Sequence, residues 1–121
     1  LMSREAILDA LLSATAENEN MMWMLAALRM AERPVQKEQL REVTNALYQQ
    51  IHPNVEQEQL PIRSRHLLDE AAAMLEGASL VKVAEVAKSK RYTLSPLGEE
   101  LLNYRQYKLM QERVKRKEVG Q

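Results

Sequence analysis

Apolar positions along this chain recur mostly at helical spacing. Ile7, Leu8, Leu11 and Leu12 share one face behind Ser3, a residue suited to capping, and predict a helix running to about Ala16. Glu17, Asn18, Glu19 and Asn20 interrupt the pattern, with Asn20 placed to cap the next helix. Residues 21–32 read MMWMLAALRMAE and are apolar nearly all round, as in a helix at the centre of a domain. Arg33-Pro34 ends that helix, because the residue before a proline avoids helical angles. Leu40, Val43, Leu47 and Ile51 form a stripe on a third helix over 36–51, stopped by His52-Pro53. Residues 52–62, HPNVEQEQLPI, have two prolines and no period, and predict a loop longer than the usual connection between packed helices. Such a loop suits mobility or a family-specific insertion. A fourth helix is expected from Arg63 to Glu76, with Leu67, Leu68, Ala71, Met74 and Leu75 on its apolar face and Gly77 as its stop.

The period then changes from helical to alternating. Leu80 to Val86 reads as a strand, with Val81 and Val83 on one face and Lys82 and Ala84 on the other. Ala87, Lys88, Ser89 and Lys90 form a basic connection, and Arg91 to Leu94 a second short strand, with Tyr92 and Leu94 on one face. Ser95-Pro96 opens a fifth helix by cap and first-turn proline. Its apolar residues, Leu97, Leu101, Leu102 and Tyr104, lie early, and bases dominate beyond Tyr107.

An isolated hairpin is marginal in water, so this one must lean on the helices. The expected fold class is therefore mainly α with a small antiparallel β-hairpin, a winged helix-turn-helix with an extra N-terminal helix and a long C-terminal one. The 121 residues make one domain: a core at about 21–104, a helix at 3–16 in front, and a basic helix end or tail at 105–121.

Composition narrows the chemistry. The chain has no Cys, which removes disulfides and thiolate metal sites. Its longest apolar run, Met21 to Leu28, falls well short of the roughly 20 residues of a bilayer span. No signal peptide is evident and a cytoplasmic location is expected. There are 17 basic and 17 acidic residues, so bulk charge does not drive nucleic-acid binding. The charges are segregated, however. Five acidic and two basic residues occupy 1–32, whereas Arg105, Lys108, Arg113, Lys115, Arg116 and Lys117 crowd the C-terminal end.

The segment MLEGASLVKV resembles the junction between recognition helix and wing in winged helix-turn-helix proteins, and RYTLSPLGEELL resembles the exit from the wing in MarR-type and PadR-type transcriptional regulators. The resemblance covers about residues 21–104. The wing lacks the aspartate-x-arginine usual in MarR-type proteins, and two residues separate Gly77 from Leu80, which leaves the family within the fold open.

The resemblance implies that one helix start enters the DNA major groove, where Arg is the best reader of guanine. Here that start holds Arg63, Arg65 and His66, with Ser64 as a phosphate donor. Two arginines in four residues also suit a solvated helix start. The basic wing tip, with Lys88, Lys90 and Arg91, favours DNA, since these side chains can reach phosphates or the minor groove. The same bases also discourage edge-to-edge pairing. The expected function is sequence-specific double-stranded DNA binding by a transcriptional regulator. The alternative is a winged-helix protein-interaction module in a larger assembly, with a protein partner and no direct DNA contact. A homodimer through the terminal helices, 4–16 and 96–117, would double the few base pairs one domain reads.

Trp23 and Met21, Met22, Met24 and Met30 are expected in the core, with a ligand pocket near Trp23 and Met24 as the alternative reading. His52 and His66 are the two histidines, and neither sits in a ligand-like array: His66 and Glu70, four apart, are too few for a metal site. No phosphate-binding Gly-rich loop or activated nucleophile is present, so neither enzyme activity nor a cofactor is expected.

Overall fold

Five helices and a small sheet follow one another in the computed structural model, which describes residues 2–119. They are α1 (Arg4–Ala16), α2 (Glu19–Ala31), β1 (Val35–Gln36), α3 (Lys37–Ile51), α4 (Arg65–Gly77), β2 (Val81–Val86), β3 (Ser89–Leu94) and α5 (Pro96–Val119), with a 3-10 turn at Gln57–Gln59 between α3 and α4. The result is a mainly helical fold with a β wing, the expected fold class.

The helix starts are set by local hydrogen bonding. Ser3 Oγ accepts from the Ala6 N–H at 3.1 Å and caps α1. Asn18, not Asn20, caps α2: its side chain accepts from the Asn20 N–H at 3.1 Å, so α2 begins two residues earlier than its apolar run. Ser64 caps α4 by accepting from the Leu67 N–H at 3.2 Å. That leaves Arg63 outside the helix, one residue before the cap, although the apolar pattern alone suggested that it opens α4. Ser95 Oγ accepts from the Gly98 N–H at 3.0 Å and donates to the Ser79 carbonyl at 2.7 Å, tying the start of α5 to the end of α4.

The end of α4 differs from expectation. Gly77 is still helical, and the left-handed residue is Ser79, at φ 60°. The Leu80 N–H reaches the Leu75 carbonyl at 3.0 Å and the Ser79 N–H reaches Glu76 at 3.1 Å. These are the two bonds of a Schellman stop. Ser79 therefore takes the position that the sequence assigned to Gly77.

The wing is a three-stranded sheet rather than a two-stranded hairpin, in the order β1-β3-β2. Both neighbours of β3 are antiparallel to it, and Tyr92 lies opposite Val35 on one side and Val83 on the other. Tyr92 is buried, as are Val35 and Val81, and this face of the sheet closes the core. β1 escaped the sequence pattern because two residues cannot display an alternation. The turn between β2 and β3 is only Ala87-Lys88, at φ 51° and 64°. Two left-handed residues in a two-residue hairpin loop correspond to a type I′ turn, which matches the twist of the strands.

Met21, Met24, Leu25, Ala27 and Leu28 of α2 sit in the middle of the core, against Leu40, Ile62, Leu68, Leu75, Leu80 and Leu101. Several expected core residues are not buried. Ile51 and Met30 are exposed, and Trp23 is half-buried, its ring edge-on to Tyr48 at 4.8 Å. Ile7 is also exposed, since only Leu8 of the α1 stripe points fully inward. A hollow of about 480 Å³ beside Tyr48 and His52, the two rings that contact Trp23, is lined also by Ile51, Pro53, Asn54, Val55 and Gln59. Neither Trp23 nor Met24 lines it.

α1 lies along the first half of α5. Tyr104 donates to Asp9 at 2.6 Å, Lys108 pairs with Asp9 at 3.5 Å, and Arg4 pairs with Glu100. Leu8 of α1 and Leu101 and Leu102 of α5, which belong to the apolar stripes expected to serve a second subunit, are buried within the chain. Beyond Lys108, α5 continues to Val119 and is exposed through Glu118. Among the described residues, no helix is long and apolar enough to cross a membrane.

Candidate nucleic-acid interface

The loop between α3 and α4 delivers the candidate residues, and its far end is tightly held. Ile62 is fully buried. Asn45 of α3 donates to the Ile62 carbonyl at 2.9 Å and accepts from the Ile62 N–H at 3.0 Å. Arg41 donates to the same carbonyl at 3.2 Å and to that of Arg63 at 3.1 Å. The sequence pattern predicts a long loop over 52–62, suited to mobility or insertion. Its last residue is instead a core side chain, gripped by two polar residues of α3.

From that anchor the chain passes through Arg63 and Ser64 into α4. Arg63, Ser64, Arg65 and His66 are all exposed. Arg63 makes one long hydrogen bond, to the Leu60 carbonyl at 3.4 Å. Arg65 is more constrained: Nε lies 3.3 Å from Asp69 and Nη1 lies 3.3 Å from Glu38. Lys37 adds a 3.0 Å contact to Asp69. The Lys37 ammonium holds the Asp69 carboxyl below its ordinary value of 3.8; desolvation opposes this, and Arg65 adds to the lowering. His66 pairs with Glu70 at 3.5 Å, one turn along α4. Among the described residues, no group of three or more His, Cys, Asp or Glu is arranged to hold a metal ion.

On the wing, the strand register separates the three predicted bases. Lys88 sits in the turn and is exposed. Lys90 lies opposite Glu85, on the same side of the sheet as Tyr92 but beyond the core, so a carboxylate faces it across the strands. Arg91 is not at the tip. It lies in the central strand between Gln36 and Ala84 and is half-buried, with Nε buried and lacking a hydrogen-bond partner. Alternation places Ser89, Arg91 and Thr93 on the face opposite Tyr92, together with Gln36, Lys82, Ala84 and Val86. This outward face carries two bases and no acid.

The two halves meet at the start of α3. Gln36 lies opposite Arg91, Lys37 contacts Asp69, and Glu38 pairs with Arg65. Three consecutive residues thus border the wing on one side and the first turns of α4 on the other. The sequence reading missed Lys82, Gln36, Lys37 and Glu38. Lys82 was legible as the polar partner of Val81 and Val83, but only the register puts it beside Arg91. Nothing in the local sequence links Glu38 to Arg65, 27 residues away.

Compared with known protein families and with curated proteins, the chain matches none.

Proposed function

We propose that this protein binds double-stranded DNA in a sequence-specific way and acts as a transcriptional regulator of winged helix-turn-helix type. One observation carries the reading: Gln36, Lys37 and Glu38 join the wing's outward face, with Lys82 and Arg91, to the start of α4, with Arg63 and Arg65. The start of α4 enters the major groove, the Ser64-capped helix end meets a phosphate, and the wing lies on the flanking backbone. Arg91 and Lys82 are better placed for phosphate than Lys90, which faces Glu85.

The test is duplex binding measured by electrophoretic shift and anisotropy at two salt concentrations. Affinity is expected to fall steeply with salt, and the Arg63→Ala/Arg65→Ala double variant is expected to lose most of it. Binding insensitive to both changes sinks the proposal.

The carboxylates around Arg65 favour a second reading, a winged-helix module that docks on a protein. Glu38, Asp69 and Glu70 lie among the bases there, and a mixed-charge surface suits a protein partner better than a polyanion. A dimer is part of the first reading. Tyr107, Met110 and Val114 form an exposed stripe on α5 that a second copy would cover. Sedimentation at micromolar concentration checks it, and a monomer mass excludes it.

A further inference from the structure

Arg63 and Arg65, two residues apart at the start of α4, sit in opposite electrostatic settings. Arg63 has only the Leu60 carbonyl as a partner, at 3.4 Å, and no carboxylate within ion-pair distance among the described residues. Arg65 has two carboxylates at 3.3 Å, from Glu38 and Asp69, and its side chain is still 64% exposed. A guanidinium flanked by two carboxylates is a weak phosphate ligand, because its charge is locally compensated and the carboxylates repel the phosphate. Compensation does not remove its hydrogen bonds. Arginine has five N–H donors in a fixed plane. The Asp69 bond uses the one on Nε and the Glu38 bond one on Nη1. Among the described residues, no contact uses either donor on Nη2 or the second donor on Nη1. A neutral group rich in acceptors suits these remaining donors, and in the major groove guanine presents O6 and N7 as acceptors.

We infer that Arg65 reads a guanine, that Asp69 and Glu38 are the residues that position its guanidinium for doing so, and that Arg63 contacts phosphate. The inference rests on the DNA-binding reading above and assigns separate tasks within that site. Two fixed bonds limit the rotation of a long side chain, so less conformational freedom is lost when the base is met. Lys37, at 3.0 Å from Asp69, holds the carboxylate that holds Arg65.

The inference gives Asp69→Asn an unusual signature. The variant loses one negative charge from a surface facing DNA, so it binds random duplex more tightly. It also loosens the arginine, so its preference for guanine at the Arg65 position falls about ten-fold. Loss of fold lowers both quantities together and cannot imitate this. The experiment is selection from a randomised duplex pool, followed by titration of matched duplexes differing at one base pair, with the full chain. Arg65→Ala is expected to abolish the guanine preference at one position. Arg63→Ala is expected to weaken all sequences alike and to lower the salt slope by about 1. Glu38→Gln, far from Asp69 in sequence, is expected to act in the same direction as Asp69→Asn. Unchanged guanine preference in both Asp69→Asn and Glu38→Gln overturns the inference, as does an Arg65→Ala variant that weakens all duplexes equally. Wild-type protein that prefers certain duplex sequences but shows no guanine preference that depends on Arg65 overturns this inference alone, and binding with no base preference at all overturns the sequence-specific reading with it. Absence of any duplex binding at low salt overturns the DNA reading itself, and this inference with it.

Discussion

Asn45 and Ile62 exchange two hydrogen bonds, at 2.9 and 3.0 Å, so one side chain of α3 satisfies both backbone groups of a buried loop residue. Asn45→Ala leaves the Ile62 N–H without this partner in the interior, while the carbonyl keeps Arg41. The expected loss is about 2 kcal/mol, the cost of a buried donor left unpaired. For a domain of this size that lowers the melting temperature by about 8 °C. Thermal unfolding followed by circular dichroism checks it, and an unchanged melting point shows that the clamp contributes nothing.

Gly98 in the first turn of α5 lies directly against the Leu80 carbonyl. A Cβ at this position would overlap that oxygen and stand 2.9 Å from Leu94 Cδ1. The same oxygen accepts from the Ser95 N–H at 3.2 Å, so it cannot move away without losing a bond. Gly98→Ala is expected to destabilise the protein by about 3 kcal/mol, despite the better helix propensity of alanine. Gly77 is the internal control: nothing lies within 4 Å of its added Cβ, and Gly77→Ala is expected to be neutral or stabilising by about 1 kcal/mol. Urea denaturation of the two variants reads both signs.

Ser79, Ala87 and Lys88 all hold left-handed backbone angles without being glycine. Each such residue costs about 1 kcal/mol. Ser79→Gly, and Ala87→Asn with Lys88→Gly, are each expected to raise stability by about 0.5–1 kcal/mol, since part of the gain is offset by the entropy of the unfolded glycine. Melting curves of the two variants, singly and combined, check this. The sites lie at opposite ends of β2, and their effects should add.

Tyr104 donates to Asp9 at 2.6 Å, and this bond pushes its phenol up to about 12 from an ordinary 10.0. The folded chain thus keeps a proton that the unfolded chain releases near pH 10. The resulting stability is fully present below pH 10 and is lost as the pH rises towards 12. The difference in stability between wild type and Tyr104→Phe is therefore expected to shrink between pH 10 and 12 and to be constant from pH 7 to 9. A difference that stays constant to pH 12 removes the Asp9 bond as its cause.

The amino-acid sequence by itself determined the helices, the caps at Ser3 and Ser95, and the central place of α2. It also determined the inward face of the wing, because Val81, Val83, Tyr92 and Leu94 alternate with polar neighbours. These features are local: a period, a cap or a proline acts within one or two turns of chain. Tertiary structure alone decided the rest. It recruited Val35-Gln36 as a third strand, buried Ile62 through Asn45, and moved Arg91 from the presumed tip to the middle of the sheet. It also set Glu38 against Arg65 and turned Lys82 to the same face as Arg91. The reason is physical. Strand register and ion pairing join residues far apart in the chain, and the packing of α3 against its neighbours selects those partners, whereas no periodicity in the sequence encodes them.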